Sequence, residues 1–412
     1  MSSLDPLRTV QELKDLRALT GDENGAWRVA WTDTWLRARE FMRAKTDALG
    51  LETHWDAAGN VWSTLRGASP VELIIGGHID SVPGGGWLDG CLNVLAGLEV
   101  VRRIKDEYGG EPPVTVRLVD WADEEGARFG RSLLGSSAAG GTLVPDAERG
   151  RLDADGVRLV DALKRCGVDL DAMNQATAEL ANAGAYLELH IEQGPVLLDL
   201  DLPLGVVLGT FGVERHGIQF RGQAAHSGST PMNRRRDAFL AAGKMSQEIY
   251  RITDDLGGVC TIGSCVTRPG IVTSVVAECD ITLDQRHLDR AALTGMYERA
   301  VEASKRFAAE GDVEVSWSTI WGIDPMPFHP DLIALATEAV REASGTSYQL
   351  PSGPLHDAAE VARAGVPTVM LFVQSLHGIS HNKIEDTREE HIEMSVVALD
   401  KLADKTMAWL QR

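Results

Sequence analysis

A histidine and an aspartate, His78 and Asp89, lie eleven residues apart in the glycine-rich stretch GGHIDSVPGGGWLDG. The apolar run at 71–75, VELII, is typical of a buried strand. His78 is therefore predicted to lie where a strand gives way to a loop, the position at which open α/β sheets bind ligands. Imidazole and carboxylate both bind divalent metals, and Asp80 is placed to fix the tautomer of the His78 ring. The alternative is a turn whose polar side chains only satisfy backbone groups.

Two adjacent glutamates follow a second apolar run, VTVRLVDWA. Side chains alternate in direction along an extended chain, so Glu124 and Glu125 can take different roles. One can bind a metal while the other faces the substrate as a general base whose pKa is tuned by burial. An acidic surface turn is the alternative for this DEEG segment.

Two further histidines enlarge the set of candidate ligands. His190 lies on the predicted strand YLELHIEQGPVL, and His381 lies in the loop SLHGISHNKIEDT. A structural role is the alternative for His190, because a lone histidine on a strand is usually structural. Five candidates now lie at or near the ends of predicted strands of one domain: His78, Asp89, Glu125, His190 and His381. Their coincidence predicts a dinuclear site, in which two divalent ions about 4 Å apart share a carboxylate, activate water and polarise a carbonyl oxygen. Hydrolysis of a C–N bond is the predicted reaction class.

The elements that must position these residues indicate an α/β fold with two domains. The first strand, a helix at 93–105 and a strand at 114–122 form a predicted βαβ unit. From residue 213 the pattern changes to βαββαβ, the order of a ferredoxin-like sandwich. We therefore predict a domain inserted at 213–326, and a catalytic domain formed by 1–212 and 327–412.

The segments outside these units are predicted from apolar spacing. The first 60 residues are predicted to be largely helical up to Gly50, and 51–65 is predicted to be a strand with a turn at 58–60. A helix at 330–343, the strand VPTVMLFV and a last helix from about Thr387 return to the first domain.

Composition excludes several classes of function. The 412 residues are 44% hydrophobic, with a net charge of −20 and a pI near 5.0, so neither nucleic acid nor an anionic membrane is an expected partner. No apolar run approaches membrane-spanning length, and no charged-then-apolar signal segment is present. The five cysteines contain no CxxC pair, which argues against a disulfide framework or zinc knuckle and favours a reducing cytoplasm.

Six motifs resemble, in their order, those of the metal-dependent amidohydrolases of hydantoinase/carbamoylase type. That family includes N-carbamoyl-L-amino-acid hydrolases, β-ureidopropionase and allantoate amidohydrolase, and is related to dinuclear zinc aminoacylases and carboxypeptidases. The motifs cover nearly the whole chain: GGHIDSVPGGGWLDG, DEEGARFG, ELHIEQGPVL, GQAAHSGSTPMNRRRDA, LPSGPLHDA and GISHNKIEDT. The histidine in HIEQGP resembles the carbamoylase branch, because the peptidase branch usually has an acid at the position of His190. The resemblance implies a mixed-sheet catalytic domain with an inserted α+β lid and dimerisation domain.

The resemblance also implies how two ions would be held. Asp89 would bridge them, His78 and His190 would hold one ion, and Glu125 and His381 would hold the other. Histidine and carboxylate ligands serve zinc, manganese, cobalt and nickel alike, so the native metal stays open.

The same resemblance implies the residues that act on the substrate. Glu124 would be the general base that passes a proton to the leaving nitrogen, and His226 would stabilise the oxyanion across the interface of a homodimer. Arg286 would clamp a substrate carboxylate with its planar guanidinium. Gln193 and His356 match positions close to the substrate. An ordinary strand-end arginine and a solvated turn histidine are the alternatives for Arg286 and His226.

Two segments depart from the family pattern near the expected substrate contacts. The stretch 273–276, TSVV, has Ser274 where relatives often have Asn before an apolar pair. The loop that begins at Gly353 reads GPLHDA instead of GAGHDA, and its proline lacks an N–H. These departures leave the chemistry intact and bear on which substrate binds.

The sequence therefore predicts a cytoplasmic, homodimeric enzyme that cleaves the carbamoyl group from an N-carbamoyl-L-amino acid, giving the amino acid, carbon dioxide and ammonia. Allantoate or another ureido acid is the alternative substrate. An N-acyl amino acid deacylase or dipeptidase is a further alternative within the hydrolases. A metal-free binding protein that kept the fold is the alternative from another functional class.

Overall fold

The computed structural model describes residues 4–412, which form helices, strands and short 3₁₀ segments. The strands are β1 (Gly21–Asp22), β2 (Gly25–Ala26), β3 (Glu52–Trp55), β4 (Val61–Leu65), β5 (Ser69–His78), β6 (Val114–Trp121), β7 (Ala183–Ile191), β8 (Leu204–Thr210), β9 (Gly212–Arg221), β10 (Val259–Arg268), β11 (Glu278–His287), β12 (Glu314–Ile323), β13 (Met326–Pro327), β14 (Gln349–Ser352) and β15 (Thr368–Val373). The helices are α1 (Pro6–Thr20), α2 (Asp33–Ala48), α3 (Cys91–Glu107), α4 (Leu134–Ala139), α5 (Pro145–Glu148), α6 (Leu159–Arg165), α7 (Val196–Asp199), α8 (Ala238–Leu256), α9 (Arg290–Glu310), α10 (Pro330–Ser344), α11 (Asp357–Arg363) and α12 (Glu389–Leu410). Segments of 3₁₀ helix span Leu170–Leu180, Met232–Arg234 and Leu376–Gly378.

These residues divide into two units. One extends to Leu208 and resumes as Phe328–Arg412, and the other is Gly209–Pro327. None of the helices between residues 4 and 412 is long and apolar enough to cross a bilayer.

The sheet of the first unit is mixed, as the family resemblance implied. Its four central strands run parallel in the order β15-β7-β5-β6. Strand β8 pairs antiparallel with β15, β4 pairs antiparallel with β6, and β3 and β14 extend the two sides. Because parallel strands end at the same edge of a sheet, the segments that follow β5, β6, β7 and β15 emerge side by side.

The central strands are buried because helices cover them. Every residue of β6 is buried, and Leu73, Ile74 and Ile75 of β5 are fully inaccessible. Helices α3 and α12 pack on β5 and β7, and α11 packs on β7 and β15. Such strands are continuous apolar runs, which is why VELII and VTVRLV were recognisable from the sequence.

Several predicted boundaries differ from the structure. Strand β5 was predicted to end at Gly76 but continues to His78, so this histidine is the last residue of a strand. The stretch 51–65 is an antiparallel hairpin of two strands around the predicted turn. The N-terminal helical region contains two helices with a short hairpin between them. Strands β8 and β14 were not predicted at all.

The second unit has an antiparallel sheet in the order β10-β11-β9-β12, and α8 and α9 pack on it. Its elements follow the predicted βαββαβ order. Alternate residues of β9 and β11 point into its core, including Ile218, Phe220, Ile281 and Leu283, all at most 3% exposed. Strand β13 pairs with the last two residues of β8.

Candidate metal centre

The parallel strands bring the predicted ligands to one edge of the sheet. His78 ends β5, and His190 is the penultimate residue of β7. Glu125 lies in the loop after β6, and His381 lies in the segment after β15. Helix α3 begins two residues after Asp89, so the loop from β5 returns this aspartate to the same edge.

The five side chains form two triads that share Asp89. In the first triad, His78 and His190 face one carboxylate oxygen; their Nε2 atoms lie 3.8 and 3.2 Å from Asp89 Oδ1. In the second, His381 Nε2 lies 3.4 Å from Asp89 Oδ2 and 3.2 Å from Glu125 Oε2. Within each triad the ligand atoms all lie within 4.8 Å of one another. This geometry fits two cations that share one carboxylate.

The ring orientations also fit metal binding. His190 Nδ1 donates to the Ile191 carbonyl at 2.8 Å, and His78 Nδ1 donates to the Asp80 carbonyl at 3.2 Å. Each Nε2 lone pair is therefore directed toward Asp89. Among the described residues, His78 Nε2 and Glu125 Oε1 are buried atoms without a hydrogen-bond partner, as expected of atoms that bind a metal.

Asp80, in the loop after β5, contacts the loop after β6. Its carboxylate accepts the amide hydrogens of Glu124 and Glu125 at 3.3 and 3.2 Å. It is the main-chain carbonyl of Asp80, not the carboxylate at 3.6 Å, that lies within hydrogen-bonding distance of His78 Nδ1. The carboxylate therefore positions the adjacent glutamates, while the backbone fixes the tautomer of the histidine.

Asp89 precedes a strained turn that only glycine tolerates. Gly90 has φ 67° and ψ −52°, and Cys91 N–H donates to the Asp89 carbonyl at 2.7 Å, which makes a γ-turn. A Cβ at position 90 would lie 2.3 Å from the nearest atom of the His78 ring. The glycine thus lets the backbone of Asp89 pass directly over the first histidine ligand.

A cavity of about 640 Å³ opens on the shared carboxylate. Its lining includes Asp89, Glu124, Glu125, Ser132, Leu133, His190, Gln193, Pro354, Leu355, His356, Gly378, Ile379, Ser380 and His381. Glu124 is 8% exposed and its Oε2 lies 3.8 Å from His78 Nε2.

Carboxylates crowd this end of the cavity. Burial, reinforced by the charges of Asp357 and Glu125, raises the pKa of Glu124 well above its ordinary value. Burial and the charge of Asp89 raise the pKa of Glu125 to about 7. A divalent cation would relieve this repulsion and restore both groups to their ionised forms.

Of the predicted substrate residues, Gln193 and His356 line the same cavity. Gln193 Nε2 donates to Asp89 Oδ2 at 3.0 Å, and its backbone adopts a positive φ of 58°. The His356 ring lies 4.5 Å from the His190 ring between centroids, and its Nε2 donates to Ser352 Oγ at 3.0 Å. Burial, with the charge of His190, holds the pKa of His356 well below its ordinary value, so its imidazole is neutral. Gly353 lies in the loop just before His356.

The other predicted substrate residues belong to the second unit, Gly209–Pro327. His226 Nδ1 accepts the amide hydrogens of Gly228 and Ser229, both at 3.1 Å. Ser274 forms an isolated β-bridge with His226. The Arg286 guanidinium binds the Asp284 carboxylate, with Nε 2.8 Å from Oδ1. Their roles toward a substrate stay predictions.

Several supporting residues were missed at the sequence level. Glu385 accepts the amide hydrogens of Leu88 and Asp89, at 3.2 and 3.0 Å. Ser380 Oγ lies 3.1 Å from Asp89 Oδ2. Ser380 and Glu385 lie on either side of His381 in the segment GISHNKIEDT. Polar residues next to a candidate ligand could therefore have been predicted to support it. Arg28, which donates to the Ile79 carbonyl at 2.7 Å, has no such signal.

Comparison with known proteins places this site in a family. A model described as Peptidase family M20/M25/M40 matches residues 74–405. An N-carbamoyl-L-amino acid amidohydrolase of Geobacillus stearothermophilus is 34% identical over 369 residues, which cover 89% of this chain and 90% of that protein. An allantoate amidohydrolase of Escherichia coli strain K12 is 34% identical over 367 residues, which cover 88% of each.

A solved structure is similar over nearly the whole chain. The amidase of the hydantoinase/carbamoylase family from Burkholderia multivorans has a TM-score of 0.84 and 32% identity, with 97% of each chain covered. The span matched by the family model contains the five residues of the two triads. The chain therefore belongs to peptidase family M20/M25/M40, among its amidohydrolases, which confirms the resemblance carried by the six motifs.

Proposed function

We propose that this enzyme hydrolyses the carbamoyl C–N bond of an N-carbamoyl-L-amino acid, releasing the amino acid, carbon dioxide and ammonia. The observation that carries the proposal is the position of Asp89, whose two oxygens face separate triads beside the buried Glu124. The relative from Geobacillus stearothermophilus is named for this activity.

In this proposal His78 and His190 would hold one divalent ion, Glu125 and His381 would hold a second, and Asp89 would serve both. The ions would supply Lewis acidity, which lowers the pKa of water and polarises the carbamoyl oxygen. Zinc, manganese, cobalt and nickel all accept imidazole and carboxylate ligands. Reconstitution with each metal decides among them.

Glu124 takes the proton of the attacking water and delivers it to the leaving nitrogen. Glu124 is buried and its Oε2 lies 3.8 Å from His78 Nε2, so its carboxylate faces the position where the ions would activate water. Asp80 accepts the amide hydrogens of Glu124 and Glu125, so one carboxylate positions the backbone of both the base and its neighbouring ligand. Gln193 and His356, which line the cavity, and Gly353 in the loop before His356 are the proposed substrate contacts on this unit.

We assign to the second unit the role predicted for 213–326, that of a lid and dimerisation domain. His226 accepts two amide hydrogens at Nδ1, so the proton resides on Nε2, which can donate to the oxyanion across the interface of a homodimer. Arg286 clamps the substrate carboxylate, and Ser274, which is bridged to His226, is a further proposed substrate contact. The free cysteines fit a cytoplasmic location.

Allantoate is the second candidate substrate. The Escherichia coli relative is named an allantoate amidohydrolase and has the same 34% identity as the carbamoylase relative. Both substrates present a ureido carbonyl and a carboxylate, so the same centre serves either. N-acyl amino acids and dipeptides are further candidates, whose cleavage releases a free amine without ammonia.

The proposal is tested with a substrate panel and a metal series. Chelator-stripped enzyme is reconstituted with each of the four metals and given N-carbamoyl-L-amino acids, β-ureidopropionate, allantoate and N-acetyl amino acids. Ammonia release from an N-carbamoyl-L-amino acid with the highest kcat/KM supports the proposal. A higher kcat/KM on allantoate transfers the assignment to the second candidate, and amine release from acyl substrates alone refutes both.

A further inference from the structure

We infer that Glu385 is a positioning residue. By accepting the hydroxyl hydrogen of Ser380, it keeps Asp89 available to the second ion, which is the ion that Glu125 and His381 would hold. The inference rests on the proposed two-ion function, because it concerns how Asp89 divides its oxygens between hydrogen bonds and cations.

Glu385 packs directly on the loop that carries Asp89. Its side chain is buried, and its Oε1 accepts the amide hydrogens of Leu88 and Asp89 at 3.2 and 3.0 Å. A Cβ at Gly86 would lie 1.9 Å from Oε1, so the carboxylate occupies the space that the glycine leaves open. Glu385 therefore fixes the backbone from which the shared aspartate projects.

The second oxygen of Asp89 has more candidate partners than lone pairs. Gln193 Nε2 lies 3.0 Å from Asp89 Oδ2, Ser380 Oγ lies 3.1 Å away and His381 Nε2 lies 3.4 Å away. An oxygen of this kind has two lone pairs. If the amide and the hydroxyl both donated to it, neither lone pair would be left for an ion on the side of His381.

Glu385 resolves this competition. Ser380 Oγ lies 2.7 Å from Glu385 Oε2, closer than its 3.1 Å to Asp89 Oδ2, and a hydroxyl has one hydrogen to donate. Donation to the glutamate leaves one lone pair of Asp89 Oδ2 for Gln193 and the other for the ion. The carboxylate of Glu385 thus directs the Ser380 hydrogen away from the metal ligand.

A glutamine at position 385 has nearly the same shape as glutamate but would turn the Ser380 hydroxyl hydrogen toward Asp89. Its oxygen can still accept the two backbone amide hydrogens, which leaves its NH₂ group facing Ser380. Ser380 Oγ then becomes an acceptor from the glutamine, and its own hydrogen points to Asp89 Oδ2. We therefore expect Glu385→Gln to weaken the second ion selectively, by about 10- to 100-fold in affinity, as found for residues that orient metal ligands.

The experiment is a titration of chelator-stripped protein with Co²⁺, followed by calorimetry and visible absorption. The wild type is expected to bind two ions, and E385Q to bind the first normally and the second weakly. Removing the misdirected hydroxyl in the double variant S380A/E385Q is expected to restore the second affinity toward the wild-type value. Exposed Glu390 provides the matched control, since E390Q makes the same chemical change on the same part of the chain outside the site.

The outcomes separate this inference from a merely structural role and from the proposed function. Equal second-site affinity in wild type and E385Q overturns the inference, and so does a double variant that stays as weak as E385Q. If E385Q does not fold by circular dichroism, S380A alone decides, because it must retain the second ion. A wild type that binds two ions without hydrolysing carbamoyl substrates rejects the proposed function alone.

Discussion

Replacing Gly90 by alanine is expected to dismantle the His78 side of the metal centre. The γ-turn at φ 67° and ψ −52° costs a non-glycine residue about 1–3 kcal/mol. The added Cβ would also lie 2.3–2.5 Å from three atoms of the His78 ring. Ordinary contact is about 3.5 Å, so the ring must retreat by about 1 Å. Ligand distances tolerate about ±0.2 Å, so the first ion should bind at least about 10- to 100-fold more weakly.

Gly109 provides the control for backbone strain. It also has a positive φ, 62°, but a Cβ there would meet nothing within 4 Å. We expect G109A to lose about 1–2 kcal/mol of unfolding free energy in urea and to bind both ions normally. The assay is calorimetric metal titration of both stripped variants. Normal first-ion affinity in G90A, or an equal loss in G109A, would refute the steric reasoning.

Three further predictions concern other parts of the site and fold. Glu124→Gln removes the proposed base and should lower kcat by about 10²- to 10⁴-fold in steady-state assays, with metal content by elemental analysis unchanged; unaltered turnover would exclude this role. Asp80→Asn directs an amide toward the N–H groups of Glu124 and Glu125, so metal affinity by calorimetry should fall about 10- to 100-fold. In the wild type, Arg39 Nε lies 2.7 Å from Oδ2 of the buried Asp120. Arg39→Met removes this partner and should lower the free energy of unfolding, measured in urea, by about 3–5 kcal/mol. Adding Asp120→Asn should recover most of this loss, and a failure to do so would locate the cost in packing instead.

The features predicted from the sequence are those with a local signature. A buried parallel strand is an unbroken apolar run, so β5 and β6 were visible, and the residues that follow them could be placed at one edge of the sheet. That placement is why His78 and Glu125, which are far apart in the chain, were predicted to lie together. The structure places them in the two triads that share Asp89.

The missed features depend on contacts between distant segments. Trp31 Nε1 donates to Asp123 at 2.7 Å, and Arg28 donates to the Ile79 carbonyl, next to His78. Both residues come from the segment between α1 and α2. No periodicity marks such residues, because each serves one particular partner. Strand β14, QLPS, has no apolar run, so only its pairing with β8 makes it a strand. Strand β8, LGVVLGT, has a local apolar signature that the prediction overlooked.

The structure also explains why the ligand loops are held by neutral groups. Asp80 is bonded to backbone amides, and Glu385 to backbone amides and a hydroxyl, although an arginine or lysine would bind either carboxylate more strongly. A fixed cation there would also neutralise the cavity and weaken the attraction for divalent ions. Neutral donors hold the geometry and leave the negative potential intact. Burial, together with the charge of Asp89, raises the pKa of Glu125, so the carboxylates of this site are not compensated by fixed cations. Because binding ions removes this repulsion in the folded state, metal affinity and the stability of this edge of the sheet are thermodynamically linked.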